Sequence, residues 1–179
     1  MIIGCSDSRV DPSLLTNSAP GDIFIVRNVA NLVPVYEDDK GQHGVSAALE
    51  YAVCYLKIEH IIVLGHSNCG GIRALMADRC SLTEWGFISH WMAIAAPARE
   101  QVLAEFQHKE KHLQQRAAEY AAILVSLENL RSFPFIAKSI AEGQLSLHAW
   151  YFDLEHGELL GYNRENDAFQ NLSASNQNF

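Results

Sequence analysis

Two short segments of this chain concentrate side chains that bind metals. Residues 5–9 are Cys-Ser-Asp-Ser-Arg, and residues 66–71 are His-Ser-Asn-Cys-Gly-Gly. The thiolates of Cys5 and Cys69 and the imidazole of His66 are suitable zinc ligands. Three protein ligands leave the fourth zinc position to water, which is typical of catalytic rather than structural sites. Because zinc lowers the pKa of its water towards about 7, the predicted chemistry is hydroxide attack on a small electrophile.

Each segment follows an apolar run that predicts a buried strand. These runs are residues 1–4 and residues 61–65, and such continuous runs are typical of strands covered on both faces of a parallel sheet. Ligands in open α/β sheets bind at the carboxyl ends of strands. If the two strands are parallel neighbours, Cys5 and His66 emerge at the same edge of the sheet. Cys69 then lies one turn further, where the loop enters a helix.

A carboxylate and a guanidinium follow the first cysteine at short spacing. Asp7 and Arg9 stand two and four residues after Cys5, and both can face the metal if the loop is extended. An Asp beside an Arg stays ionised and is oriented by the bidentate guanidinium. Asp7 could then accept a hydrogen bond from the reactive water, or it could bind zinc itself and block the water.

Each of these patterns also has an ordinary structural explanation. Asp and Arg after a strand are usually a turn and a surface ion pair, buried cysteines are common, and Gly70-Gly71 can simply begin a helix. Cys54 falls beside the apolar stripe of a predicted helix and is interpreted as an inert core cysteine. Cys80 is interpreted as a loop thiol, with the fourth ligand of a structural zinc site as the alternative. The joint placement of the two segments at strand ends favours the catalytic metal site.

The remaining apolar patterns predict the elements that position these segments. Further strands are predicted at residues 23–26, 145–154 and 158–162. Helices are predicted at residues 44–57, 70–77, 85–95, 121–130 and 135–141. Strands that alternate with helices predict an α/β fold with a mainly parallel β-sheet flanked by helices, and a hairpin turn at His156-Gly157 adds an antiparallel edge strand near the C-terminus. Residues 1–179 are predicted to form one domain.

The amino-acid composition limits the kinds of partner that the protein is expected to bind. The formal net charge of −8 repels phosphate backbones, so nucleic-acid binding is disfavoured. The apolar runs are too short for a transmembrane helix, and the first residues lack the basic region of a signal peptide. We therefore expect a cytoplasmic protein with no membrane partner, or an organellar one if a targeting segment is missing from the sequence. Residues 173–179 are polar and are expected to fray.

Several stretches together resemble the β-class carbonic anhydrases. The matching stretches are residues 5–10, 20–22, 26–33, 66–72, 126–130 and 150–153. The resemblance implies a parallel sheet flanked by helices, Zn2+ bound by Cys5, His66 and Cys69, and an Asp–Arg dyad at Asp7 and Arg9. The implied reaction is the reversible hydration of carbon dioxide to bicarbonate and a proton.

The same resemblance implies a substrate pocket and a homo-oligomer. Phe24 and Tyr51 match the pocket aromatics of the plant-type variant, and Val10 and Gly70 are assigned to the same pocket. The minimal unit of the family is a dimer, so a dimer or a dimer of dimers is expected, with the two aromatics serving a cleft at the subunit boundary. The family's amino-terminal helical segment, which wraps the partner subunit and supplies a pocket Gln, has no counterpart before Cys5.

The zinc site is expected to be open rather than blocked by Asp7. In some members of the family the same Asp closes onto zinc as a fourth ligand, so Asp7 is also a candidate metal ligand. That variant places a Trp three residues before the first zinc-ligand Cys, where this chain has Ile2. Arg27 matches an Arg that occurs in both variants and does not discriminate between them. We therefore predict that Asp7 pairs with Arg9 at neutral pH.

Two alternative functions remain open from the sequence. One is a hydrolase of carbon disulfide or carbonyl sulfide on the same site, which would need a narrower entrance. The other is a non-catalytic zinc-binding homologue that forms oligomers. The intact Asp7 and Arg9 argue against the second, because a structural zinc site has no use for that dyad.

Overall fold

A six-stranded β-sheet forms the centre of the computed structural model, which describes residues 1–39, 41–77 and 86–172. The strands lie side by side in the order β2-β1-β3-β4-β5-β6. Their bounds are β1 Ile2–Cys5, β2 Ile25–Asn28, β3 His60–His66, β4 Ser146–Asp153, β5 Glu158–Asn163 and β6 Ala168–Asn171. The predictions made for Cys80, Trp85 and the tail from residue 173 lie outside the described residues.

The sheet is parallel from β2 through β4 and antiparallel at β5 and β6. The predicted α/β fold is therefore confirmed. The predicted edge strand at 158–162 is instead an interior strand, because the unpredicted β6 pairs with its outer side. The sequence of β6, Ala-Phe-Gln-Asn, contains only one strong β-former. Its position is fixed by tertiary packing, with Phe169 stacked on Tyr120 at a ring distance of 4.5 Å.

Seven α-helices flank the sheet in the described part of the chain. Their bounds are α1 Pro12–Thr16, α2 Gly44–Glu50, α3 Gly70–Met76, α4 Phe87–Met92, α5 Ala96–Phe106, α6 Lys111–Leu130 and α7 Pro134–Ala141. A π-helical turn at Tyr51–Tyr55 continues α2. None of these helices is both long enough and apolar enough to cross a membrane.

One turn prediction and two helix predictions need correction. The turn predicted at Asp11-Pro12 begins α1, because the Asp11 carboxylate accepts the amide of Ser13 at 3.0 Å and Pro12 occupies the first turn. Within the described residues, the helix predicted at 85–95 comprises α4 and a 3-10 turn at Ala93–Ala95, and α5, which begins with a Pro in its first turn, was not predicted. The helix predicted at 121–130 begins ten residues earlier, at Lys111, where five of the first six residues are polar.

The long helix α6 packs against β3 and β4 on one side and against α3 and α5 on the other. Ile123 of α6 is fully buried and comes so near β3 that a Cβ on Gly65 would lie 2.5 Å from its Cδ1. Gly65 therefore permits α6 to approach the strand one residue before His66. The helix connects the main core with the second apolar cluster, which surrounds the carboxyl ends of β1 and β3.

Candidate metal centre

The two parallel strands β1 and β3 deliver the first two candidate ligands. Gly4 pairs with Leu64 in register, so Cys5 and His66 end their strands at the same edge, as predicted. Cys69 is the residue that caps the amino end of α3. The candidate ligand atoms of these three residues, the Cys-His-Cys cluster, lie within 4.8 Å of one another. All three are buried, with exposed fractions of 6%, 1% and 2%.

The imidazole of His66 is oriented for a ligand. Its Nδ1 lies 2.9 Å from the carbonyl oxygen of Ser67, which can only accept, so Nδ1 carries the proton in this bond. The other ring nitrogen, Nε2, is buried and has no hydrogen-bond partner among the described residues. An unpaired buried nitrogen costs free energy, and a metal ion bound at Nε2 would remove that cost. Fixing one ring nitrogen on a carbonyl is how metal-binding His residues are usually held.

The thiols of Cys5 and Cys69 interact with each other. A hydrogen bond with Cys69 lowers the pKa of Cys5, and the same pairing raises the pKa of Cys69. Hydrogen bonding between the two sulfurs therefore favours ionisation of one of them. Thiolate is the form that binds metal, and two sulfurs with one imidazole nitrogen suit zinc. The residues present therefore fit a zinc ion.

The loop after β1 is held by Arg27 of β2. The Arg27 Nε donates to the carbonyl of Cys5 at 2.9 Å, and its Nη2 donates to the carbonyl of Asp7 at 2.7 Å. Its Nη1 pairs with the Asp11 carboxylate at 3.0 Å. The sequence comparison between family variants did not predict this role. In this structure the Arg27 guanidinium shapes the loop that carries Cys5 and Asp7.

Asp7 and Arg9 form a bidentate ion pair beside the cluster. Arg9 Nε lies 2.9 Å from Asp7 Oδ1, Arg9 Nη2 lies 2.6 Å from Oδ2, and the Arg9 amide donates to Oδ1 at 3.0 Å. Hydrogen bonding from Arg9 holds the pKa of Asp7 well below its usual range. Arg9 Nη2 also donates to the carbonyl of Asn68 at 3.2 Å, which ties the first segment to the second. Asp7 is thus ionised and oriented, and its carboxylate is not a member of the Cys-His-Cys cluster.

A buried carboxylate behind the cluster, Glu119 of α6, was not predicted. It is 4% exposed, and its Oε1 accepts the backbone N–H of Cys69 at 3.0 Å. Its Oε2 accepts the Tyr151 hydroxyl at 2.8 Å, and burial raises the pKa of Glu119. The sequence contained one indication of its burial. Glu119 lies four residues before Ile123 and eight before Leu127, and therefore on the same face of a helix as these apolar residues.

The four predicted pocket residues fall in three different places. Gly70 follows Cys69 and faces open space, because a Cβ there would meet nothing within 4 Å. Val10 is only 1% exposed and packs in the core around the cluster, so the geometry gives no support to its pocket assignment. Phe24 and Tyr51 contact each other with ring centroids 6.0 Å apart.

Phe24 and Tyr51 lie at the opposite edge of the sheet from the cluster. The Phe24 carbonyl accepts the amide of Ile2, at the amino end of β1. Cys5 stands three residues further along that strand, about 10 Å at about 3.3 Å per residue. One chain therefore does not bring these aromatics to its own Cys-His-Cys cluster.

An apolar groove of about 560 Å³ opens beside Asn28, the residue of β2 that pairs with Cys5 of β1. Its walls include Val29, Ile88 and Trp91, and the Trp91 indole donates to the carbonyl of Val29 at 2.7 Å. Val29 also touches the entry to α3, where a Cβ on Gly71 would lie 3.0 Å from it. The groove was not predicted, since its residues come from distant parts of the chain.

The structure can be compared with known proteins at this point. A sequence model of the family described as "Carbonic anhydrase" matches residues 1–159. The chain belongs to the carbonic anhydrase family. It is 39% identical over 162 residues to a carbonic anhydrase of Synechocystis and 41% identical over 160 residues to beta carbonic anhydrase 3 of Arabidopsis thaliana. These matches cover 90% and 88% of this chain, but 58% and 61% of the relatives, so the chain spans about three fifths of their length.

Solved carbonic anhydrase structures show the same fold and place the chain in the β class. The β-carbonic anhydrase CcaA superimposes with a TM-score of 0.89 at 38% identity, over 95% of this chain and 82% of that one. A structure described as a tetrameric β-carbonic anhydrase of Sordaria macrospora gives a TM-score of 0.77 at 30% identity, over 89% and 78% of the two chains. The resemblance drawn from the sequence motifs is thus confirmed at the level of family and fold.

Proposed function

We propose that this β-class carbonic anhydrase catalyses the reversible hydration of carbon dioxide to bicarbonate and a proton. Zinc is the proposed cofactor, with Cys5, His66 and Cys69 as its ligands. The observation that carries the proposal is the buried Cys-His-Cys cluster, in which His66 Nε2 has no hydrogen-bond partner in the described part of the chain. Such a donor set offers three ligands and leaves one position for a reactant.

Each nearby side chain has a defined part in this proposal. Zinc, when bound, would supply ionisation of water near neutral pH, and so the nucleophile. Asp7 is the acceptor that orients the attacking oxygen, because Arg9 keeps its carboxylate ionised and fixes both of its oxygens. Ser67 maintains the His66 tautomer through its carbonyl. This geometry supports Asp7 as an orienting group rather than a fourth metal ligand.

The apolar groove is the proposed approach for carbon dioxide. The substrate is small and apolar, and the walls at Val29, Ile88 and Trp91 suit it. Gly70 leaves open space next to Cys69, so it is retained as a proposed substrate-binding residue.

We also propose that the active unit is a homodimer or a dimer of dimers. Phe24 and Tyr51 would then complete the pocket of the partner subunit, since they lie at the far edge of their own sheet. Tyr51 and its stacking partner Tyr55 are 50% and 72% exposed in the isolated chain. Exposed neighbouring aromatics are typical of interaction surfaces, and the Sordaria macrospora relative is described as tetrameric. A cytoplasmic location stays a prediction.

The two alternatives receive less support from the described residues. The formed Asp7–Arg9 pair argues against a non-catalytic zinc-binding homologue, because such a protein needs no oriented carboxylate beside the metal. The relatives that match most of the chain are named carbonic anhydrases, which favours carbon dioxide hydration over hydrolysis of carbon disulfide or carbonyl sulfide.

A paired assay tests the proposal directly. Purified protein loaded with zinc is assayed by stopped flow for carbon dioxide hydration, and separately for carbon disulfide hydrolysis. We expect fast hydration that is lost in Cys69→Ser, with no carbon disulfide turnover. Zinc-loaded wild-type protein that fails to accelerate hydration would refute the assignment, and preferential carbon disulfide turnover would support the alternative.

A further inference from the structure

Glu119 connects three elements behind the candidate ligands. It lies on α6, its Oε1 accepts the Cys69 amide that begins α3, and its Oε2 accepts the Tyr151 hydroxyl of β4. Gln115, one turn earlier on α6, donates to the same Oε1 at 2.9 Å. A carboxylate at this depth is costly unless it is well hydrogen-bonded. Both Glu119 oxygens accept hydrogen bonds here, and Oε1 accepts one from Cys69, a candidate metal ligand.

The bond from Glu119 acts on one particular peptide group. The amide N–H of the Asn68–Cys69 peptide donates to Glu119, and the carbonyl of the same peptide accepts from Arg9 Nη2 at 3.2 Å. Asn68 adopts a left-handed conformation with φ of 57°. The peptide plane is thus held from both sides at a sharp turn. Its orientation sets the direction in which Cys69 projects its sulfur.

We propose that Glu119 is a positioning residue for the metal centre, which fixes the Asn68–Cys69 peptide and thereby aims the Cys69 sulfur at the metal. This inference rests on the proposed function, because it takes Cys5, His66 and Cys69 as zinc ligands. Oε1 can accept an N–H whether the carboxyl group is ionised or protonated, so the role does not depend on titration. Groups that hold metal ligands from behind typically contribute about 10–100-fold to metal affinity.

A purely structural role for Glu119 is the competing explanation, and α6 offers a matched control. Ser126 lies on the same helix, is fully buried, and accepts the backbone N–H of Val33 at 3.2 Å. This is the same kind of bond, but it holds no candidate ligand. Loss of either bond should lower the thermal stability of the metal-free protein. Only loss of the Glu119 bond should change metal binding.

The test compares zinc affinity in Glu119→Met, Glu119→Gln and Ser126→Ala. Dissociation constants are measured by competition with a chromophoric chelator, and the geometry is measured from the absorption bands of the Co2+-substituted proteins. We expect about 10–100-fold weaker zinc binding and altered thiolate-to-cobalt bands in Glu119→Met. Gln retains an acceptor at Oε1, so Glu119→Gln should restore affinity and bands close to those of wild type. Ser126→Ala should lose stability and keep wild-type zinc affinity.

A second variant covers the case in which Glu119→Met does not fold. Glu119→Asp keeps the charge but withdraws the carboxyl group by about 1.5 Å, one carbon–carbon bond, which takes it away from the Cys69 amide. We expect weaker zinc binding in this variant too. Wild-type affinity in Glu119→Asp or Glu119→Met would overturn the inference while leaving the proposed function intact. If wild-type protein binds no zinc, or Cys69→Ser binds it equally well, the proposed function itself has failed.

Discussion

The two ends of the parallel strands differ in how completely one chain builds them. At the carboxyl ends of β1 and β3, the Cys-His-Cys cluster is buried, and Ser67, Arg27 and Glu119 hold its surroundings by hydrogen bonds. At the amino ends lies the aromatic patch formed by Phe24, Tyr51 and Tyr55, two of which are half exposed or more.

This difference bears on which chain supplies each part of the proposed active site. A metal centre must be rigid, because ligand distances and directions determine affinity, and here the three candidate ligands come from one chain. A surface patch can be completed by a second copy, and a two-fold axis would supply both copies with the same contact. Under this interpretation each proposed active site combines the carboxyl edge of one sheet with the amino edge of another.

The greatest change is expected in Cys69→Ser, which should lose its zinc. A hydroxyl is a much poorer zinc ligand than a thiolate, so two ligands would remain and binding should collapse. Metal analysis after dialysis checks this result. Cys54→Ser is the matched control, since Cys54 is also a free cysteine but lies in the π-helical turn away from the cluster. Equal zinc content in the two variants would contradict the assignment of Cys69.

The next largest effect is expected in Asp7→Ala. Positioned acid–base groups typically contribute about 10²–10⁴-fold to rate, so carbon dioxide hydration should fall by a factor in that range. Zinc content should stay at the wild-type level, because Asp7 engages Arg9 rather than the cluster. Stopped-flow rates and metal analysis on the same samples separate the two properties. Zinc loss in Asp7→Ala would show that Asp7 is a metal ligand after all.

A complementation experiment tests whether Tyr51 serves the site of the partner subunit. Tyr51→Ala should keep zinc but lose activity, while Cys69→Ser loses zinc but keeps its aromatic patch. If the patch serves the partner, a mixture of the two variants allowed to exchange subunits should recover part of the activity. Each mixed dimer would then contain one complete site. A mixture no more active than its components, with exchange demonstrated by mass spectrometry, would show that Tyr51 acts within its own chain or not at all.

The smallest effect concerns acid stability and the Asp7–Arg9 pair. The pKa of Asp7 is lowered in the folded chain, so the pair stabilises the fold above the ordinary Asp pKa of about 3.9. That contribution is lost as the pH falls through the lowered value. Because the pair is partly exposed to solvent, it is worth under about 1 kcal/mol. Thermal melts of the metal-free protein should show wild type above Asp7→Asn near neutral pH and a shrinking gap in strong acid, whereas a constant gap would exclude the ionic contribution.

Local sequence patterns were sufficient to predict the family, the parallel core of the fold and the three cluster residues. These features depend on local information: apolar runs long enough for buried strands, and ligand side chains placed directly after them. The strands at β1 and β3 were predicted nearly to their ends for this reason. By contrast, β6 was not predicted, because its pairing with β5 is non-local and its four residues carry little β signal.

Packing between distant elements determines which groups surround the cluster and which lie elsewhere. Glu119 is separated from Cys69 by fifty residues and meets it because α6 packs over β3, a contact that Gly65 permits. Val10 is near Cys5 in the chain, yet it is buried in the core. The family pattern assigns Phe24 to the substrate pocket, yet it lies at the opposite edge of the sheet from Cys5. Side-chain direction and inter-element packing set these positions, and neither is encoded in residue spacing.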